Sequence, residues 1–297
     1  MGTLKPRRFL IPVDGSFQAD RAAEYVARYA EAFPACEAVL INAQPAETFP
    51  TRTPDGKEIL VEVDDLGSKA SAAARTLLSA RHLKYRLITE LGNPVEVIAD
   101  AARNEEIDEV VMGSRGSGRW ESLIVGSVTH KIIHRVSLPV TIVHGPSPMQ
   151  KAAPGDLHRL LVAVDGSKHA LRAVEYVRKL CVAGLPVHVE LINIVLPIPE
   201  SYAGISPSAD QSDNYYRSHG ELALQNASEA LGSVGVAFRT HIVAGDPAEK
   251  IVELAEGLEC GRIVMGTRGL GSAAGLLLGS VAHRVVHLAD IPVTLVR

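Results

Sequence analysis

The chain has 297 residues, 46% of them hydrophobic and 22% charged, with 34 Asp and Glu against 30 Lys and Arg and a formal net charge of −4. That balance supplies no basic field, and no Lys/Arg cluster able to follow a phosphate backbone is present, which excludes nucleic acid as a partner. Cys36, Cys181 and Cys260 have no CxxC spacing and no apolar run approaches the length of a membrane span, which excludes a disulfide framework, a thiolate metal site and a membrane-spanning chain.

The first residues, Met1 to Arg8, carry charge without a long apolar segment before Asp14, and Pro6 stands where a myristoylation signal wants Ser or Thr, so a soluble, cytoplasmic protein is expected. Phe9-Leu10-Ile11-Pro12-Val13 is a continuous apolar run ending at Asp14-Gly15-Ser16, the pattern of a strand buried on both faces that turns into a helix. A helical period runs from Ala19 to Ala30, and Ala38 to Ile41 reads as a second strand. A loop rich in Pro and Thr is expected to about Asp64, then a helix from Ala70 to Ala80 and a strand from Leu83 to Leu91. Asn93-Pro94 starts a helix, because Asn caps and Pro costs nothing at a position whose N–H has no helical partner. Val110 to Met112, a glycine loop, a helix from about Ser127 to Val136 and a strand from Val140 to Val143 complete the first half.

The second half repeats this order. Its strands are expected at Leu160 to Val164, Val187 to Ile194, Ala237 to Val243, Ile263 to Met265 and Val293 to Val296. Its helices start at Ala170, near Glu221, after Pro247 and at Ser280. The loop from Pro197 to Gly220, with Tyr202, Tyr215 and Tyr216, is either a lid over a ligand or a polar connection. Shifted by 153 residues, Gly113 to His144 lies over Gly266 to Arg297 with 14 of 32 positions identical. Val13-Asp14-Gly15-Ser16 lies over Val164-Asp165-Gly166-Ser167 at a shift of 151. A repeat of that length is a domain, so the expected architecture is two tandem α/β domains over 1–148 and 156–297. Each is a Rossmann-like, doubly wound, five-stranded parallel sheet.

The motifs that carry chemistry recur with the repeat. Gly113-Ser114-Arg115-Gly116 is followed, after nine intervening residues, by Gly126-Ser127, and Gly266-Thr267-Arg268-Gly269 by Gly279-Ser280 at the same spacing. Glycines that allow positive φ or close approach, ahead of a helix start, form a cradle for an anion. The alternative is a tight turn that serves packing. The spacing matches neither the P-loop nor the Gly-x-Gly-x-x-Gly fingerprint. If strands one and four flank the switch in strand order, Asp14 and Asp165 stand beside these loops. Their targets would then be ribose hydroxyls, an adenine edge or Mg²⁺, unless each only caps the helix that follows.

The Val-Asp-Gly-Ser strand end, the Gly-x₂-Gly-x₉-Gly-Ser loop and the closing Pro-Val-Thr strand resemble the universal stress protein family, twice over nearly the whole chain. The resemblance implies a fold of the adenine-nucleotide alpha hydrolase-like kind and a site for ATP in each half. In the first, Pro12, Val13 and Asp14 would border adenine and ribose, Ala43 would offer backbone to adenine, and Met112, Gly113, Gly116, Gly126, Ser127 and Val128 would hold ribose and phosphates. In the second, the counterparts are Ala163, Val164, Asp165, Ile194, Met265, Gly266, Gly269, Gly279, Ser280 and Val281. It further implies a pseudo-dimer of the two domains through the edge strands at Val140 to Val143 and Val293 to Val296, with a homodimer of whole chains left open.

Between the glycines the halves differ, with Arg119-Trp120-Glu121 in one and Ser272-Ala273-Ala274-Gly275 in the other; Arg119 either reaches a γ-phosphate or is solvated. His130 and His134, like His283 and His287, have zinc-motif spacing, but Lys131 and Arg284 replace the Glu that would act as base and no third ligand suggests itself, so no metal site is expected. No catalytic base or charge clamp for fast phosphoryl transfer is legible beyond Asp14 and Asp165. The expected function is therefore a stress-response binding or signalling module for ATP, with slow hydrolysis, a nucleotide-dependent enzyme on the same fold, or a scaffold with degenerate sites as alternatives.

Overall fold

The computed structural model of the chain describes residues 6–45, 59–114, 126–144, 158–197, 209–270 and 278–297. The chain divides into two compact units at 147/148. In the first, the order is β1 (Arg7–Pro12), α1 (Phe17–Ala32), β2 (Cys36–Gln44), α2 (Ile59–Ala70), α3 (Ala72–Ala80), β3 (Lys84–Leu91), α4 (Pro94–Asn104), β4 (Glu109–Gly113), α5 (Ser127–Arg135) and β5 (Val140–Val143). The second runs β6 (Arg159–Ala163), α6 (Lys168–Val182), β7 (His188–Val195), α7 (Ala209–Gly232), β8 (Phe238–Ala244), α8 (Pro247–Gly257), β9 (Arg262–Gly266), α9 (Ser280–Leu288) and β10 (Val293–Val296).

The sheet orders are β3-β2-β1-β4-β5 and β8-β7-β6-β9-β10, and the paired strands within each domain are parallel. Strands β1 and β6 are thus flanked on both sides, which explains why Phe9, Leu10 and Ile11, like Leu160, Leu161 and Val162, are apolar at consecutive positions and fully buried. The order reverses beside β1 and beside β6, so a crevice opens at the carboxyl ends of β1 and β4 in one domain and of β6 and β9 in the other. Among the described residues no helix is long and apolar enough to cross a membrane.

Two expectations are corrected. The loop placed up to about Asp64 ends earlier, because α2 already starts at Ile59. Gly67 within that helix marks a close approach: a Cβ there would overlap the Thr89 side chain on β3. Its counterpart Gly220, 153 residues on, lets α7 close on β8, since a Cβ would lie 2.7 Å from Ile242 Cγ1. The same helix corrects the connection expected up to Gly220, because α7 starts at Ala209 and carries Tyr215 and Tyr216; Tyr202 lies outside the described residues. Leu224, Ala227 and Leu231 anchor α7 as a buried stripe at helical spacing.

Candidate functional site

At the carboxyl end of β1 the chain leaves Pro12 through Val13, whose N–H donates to Ile41 O at 2.9 Å, and enters the Asp14-Gly15-Ser16 turn. Asp14 Oδ1 accepts the N–H of Ser16 at 3.0 Å, and Asp165 Oδ1 that of Ser167 at 3.0 Å. Such Asx turns hold the central residue left-handed, and Gly15 (φ +78) and Gly166 (φ +80) are glycine for that reason. The helix caps are Ser16, whose Oγ accepts from Ala19 N at 3.3 Å, and Ser167, which accepts from Ala170 N at 3.2 Å. The aspartates therefore brace the turn and do not cap the helix.

Strand β2 extends past the end of β1. Pro12 pairs with Ile41, so Ala43 stands beyond the β1 pairing and beside the turn. Between them Asn42, which is buried, donates to Val13 O at 2.7 Å; Asn193 does the same to Val164 O at 2.7 Å, with Ile194 next along β7. These asparagines hold the carbonyl ends of β1 and β6 in place. Sequence reasoning missed them, although a polar residue at the same repeat position inside two apolar strands was the available signal.

On the other side of the crevice, Met112 and Met265 are buried at the ends of β4 and β9, with Ala163 paired to Met265. Gly113 and Gly266 then pack on the first turn of the neighbouring helix. A Cβ on Gly113 would lie 2.6 Å from Gln18 O, and one on Gly266 2.7 Å from the carbonyl carbon of His169. Their lack of a side chain serves packing at these two positions. The loop closes through Gly126 N–H to Ser114 O at 2.7 Å and Gly279 N–H to Thr267 O at 2.8 Å. Gly126 and Gly279 are extended N-caps (φ −60 and −69), so the positive φ expected of the loop glycines is absent from the described ones. A glycine cap has no side chain to occupy the first N–H groups of α5 and α9, which begin at Ser127-Val128 and Ser280-Val281. Gly116, Arg119, Trp120, Glu121 and the Ser272-Gly275 segment lie outside the described residues.

In the second domain the loop meets the aspartate directly. Asp165 Oδ2 accepts the N–H of Leu270 at 3.0 Å, and a Cβ on Gly269 would overlap that oxygen. The structure thus brings Ala163, Val164, Asp165, Ile194, Met265, Gly266, Gly269, Gly279, Ser280 and Val281 to one edge of one sheet. It brings Pro12, Val13, Asp14, Ala43, Met112, Gly113, Gly126, Ser127 and Val128 to the same edge of the other. A further residue enters here that sequence reasoning passed over: His169, on the first turn of α6, where the first domain has Gln18. The histidine pairs on α5 and α9 lie elsewhere on those helices; His130 and His134 are 3.4 Å apart at Nε2. Among the described residues no three His, Cys, Asp or Glu side chains converge as a metal site.

The model of the universal stress protein family matches residues 5–144 and again 157–297. The chain belongs to the universal stress protein family. It is 27% identical over 314 residues to a universal stress protein of Mycobacterium tuberculosis, with 99% of each chain covered. A universal stress protein of Thermus aquaticus is 36% identical over 139 residues, 46% of this chain and 97% of its own. Among solved structures, a universal stress protein from Archaeoglobus fulgidus shares the fold with a TM-score of 0.67 and 23% identity, over 98% of this chain and 96% of its own.

Proposed function

We propose that this universal stress protein binds adenine nucleotides, ATP first among them, at one site in each of two domains spanning 1–148 and 156–297, and acts as a binding or signalling module. The observation that carries the reading is the second-domain crevice. There the Asp165 carboxylate, the Gly269 backbone and the glycine-capped start of α9 meet at the carboxyl edge of β6 and β9. The residues fit the ligand. The open N–H groups of α9 and α5 suit phosphate oxygens, worth about 0.3–1 kcal/mol for the helix terminus alone and up to ~2 kcal/mol when partly buried. Val13 and Val164 are buried apolar residues beneath the place of a base, and the Asp14 and Asp165 carboxylates suit ribose hydroxyls. Mg²⁺ would arrive with the phosphates, because no three metal-ligating side chains converge among the described residues.

Phosphoryl transfer needs a positioned base and metal ligands, and among the described residues no three metal-ligating side chains converge, which supports a binding role with at most slow hydrolysis. A cytoplasmic location accords with three cysteines that are all free thiols. Calorimetry or native mass spectrometry of the whole chain with ATP tests the reading, alongside Gly116→Val and Gly269→Val. One nucleotide per domain, lost one site at a time, is expected; a wild-type chain that binds no adenine nucleotide would overturn it.

A further inference from the structure

The two sites differ at the second residue of the helix that follows the first strand of each domain, Gln18 on α1 and His169 on α6. Both positions line the crevice. An added Cβ on Gly113 would meet Gln18 O at 2.6 Å, and one on Gly266 would meet His169 O at 2.8 Å. Around His169 stand Arg172 on the same helix, Arg268 in the loop after β9 and Asp165 in the turn after β6. Burial first, and then the positive charges of Arg172 and Arg268, hold its imidazole below its usual value, with Asp165 acting the other way.

The arginines are differently engaged in the two domains. Arg21, the counterpart of Arg172, is buried and ion-paired with Glu24. In the second domain Glu175 is instead held by Arg178, which donates through Nε at 2.6 Å and Nη2 at 2.8 Å, and Arg172 is exposed beside His169. Within the glycine loop, Arg268 Nε and Thr267 Oγ1 are buried and without a hydrogen-bond partner among the described residues. Donors gathered in this way, with one carboxylate already accepting two backbone N–H groups, are short of negative charge.

We infer that His169 is a phosphate-recognising residue peculiar to the second-domain site, and that this site takes up a proton as it binds the phosphate chain of a nucleotide. The inference rests on the nucleotide reading above. Without an anion, burial and then two guanidinium groups disfavour the charged imidazole of His169. A phosphate chain at the start of α9 reverses the balance, raises the affinity of the imidazole for a proton and gains a charge-assisted hydrogen bond from it. Binding in the second domain therefore tightens as pH falls through the histidine range, whereas Gln18 gives the first domain no such dependence.

The test is calorimetric titration of the whole chain with ATP, in buffers of different ionisation enthalpy and between about pH 6 and pH 8. Wild type is compared with His169→Gln, which gives the second site the residue of the first. ATP's own terminal phosphate also titrates near pH 6, so the readout is the difference between the two chains. Wild type is expected to take up more protons than the variant. Its second-site affinity should exceed the variant's by about threefold to tenfold near pH 6, with the gap closing near pH 8. Equal proton uptake by the two chains, or a loss of affinity equal at both pH values, overturns the role of His169 while leaving nucleotide binding intact. A wild-type chain that binds no ATP removes both.

Discussion

Replacing Gly266 with Ala separates packing from binding. Its Cβ would lie 2.7 Å from the carbonyl carbon and 2.8 Å from the oxygen of His169, about 0.7 Å inside the 3.4 Å at which ordinary contact begins. The obstacle is backbone in the first turn of α6, which is tied by the Ser167 cap, so no side-chain rotation relieves it. Overpacking of this kind costs about 1–3 kcal/mol, and with a backbone neighbour the upper end is expected. In a domain of about 150 residues, 3 kcal/mol lowers the melting midpoint by about 6–12 °C. Gly269→Ala makes the contrast. Its Cβ meets only a carboxylate oxygen of Asp165, which can rotate away at the cost of the Leu270 N–H bond, about 0.5–1.5 kcal/mol. Melting curves from circular dichroism and ATP titration of both variants give the answer. Gly266→Ala should lose stability more than Gly269→Ala, and Gly269→Ala should lose second-site binding while melting close to wild type. A Gly266→Ala chain that melts within about 2 °C of wild type would refute the packing assignment.

Asn42→Ala leaves the buried Val13 carbonyl and the Gln44 amide without their partner and should cost about 1–3 kcal/mol in denaturant unfolding, more than an exposed Asn on the same domain. Asp246 caps α8 by accepting from Ala248 N at 3.0 Å and Glu249 N at 3.1 Å, and its other oxygen accepts from Arg284 at 2.6 Å. That guanidinium, and then the backbone donors, hold its carboxyl below the usual value. Its contribution is therefore complete above the ordinary Asp value of about 4 and is lost as pH falls through the lowered one. Asp246→Asn, which copies the Asn93 cap of α4, should change stability at neutral pH by less than about 1 kcal/mol and flatten the acid limb of the melting profile. Burial pushes the Cys36 and Cys260 thiols up to about 12, whereas Cys181 is only partly buried. A disulfide reagent at about pH 8 should thus label Cys181 first in the native chain, and the other two only on unfolding.

The strands were legible because burial on both faces leaves no polar position, so Phe9 to Val13 and Leu160 to Val164 announce themselves without alternation. The Asn93-Pro94 start of α4 was equally plain, since the Asn93 side chain accepts from Val95 N at 2.9 Å as a cap should. What local reading could not reach were residues whose reason lies across the sheet. Gly67 breaks a helical pattern in sequence but exists for Thr89, more than twenty residues on, and Gly220 for Ile242. Asn42 looks like an impurity in an apolar strand until its bond to Val13 is seen. At the site, type and spacing marked the glycines, but only the backbone angles and the neighbours of each missing Cβ tell which physical demand each one meets.

Those demands divide the shared motif. Gly15 and Gly166 are required by positive φ, Gly113 and Gly266 by helix packing, and Gly269 by the Asp165 carboxylate. Gly126 and Gly279 are extended and therefore open to any residue in φ; a Cβ on Gly279 would lie 3.3 Å from Arg268 Cα, a tight contact with backbone. Glycine at a helix start without positive φ is otherwise a poor choice, since Ser or Asp there would cap the first turn. A side-chain cap would, however, consume the N–H groups that an anion needs. The sacrifice of that cap in both domains is thus the part of the motif that positive φ does not account for, and it supports the nucleotide reading alongside the Asp165 and Gly269 contact.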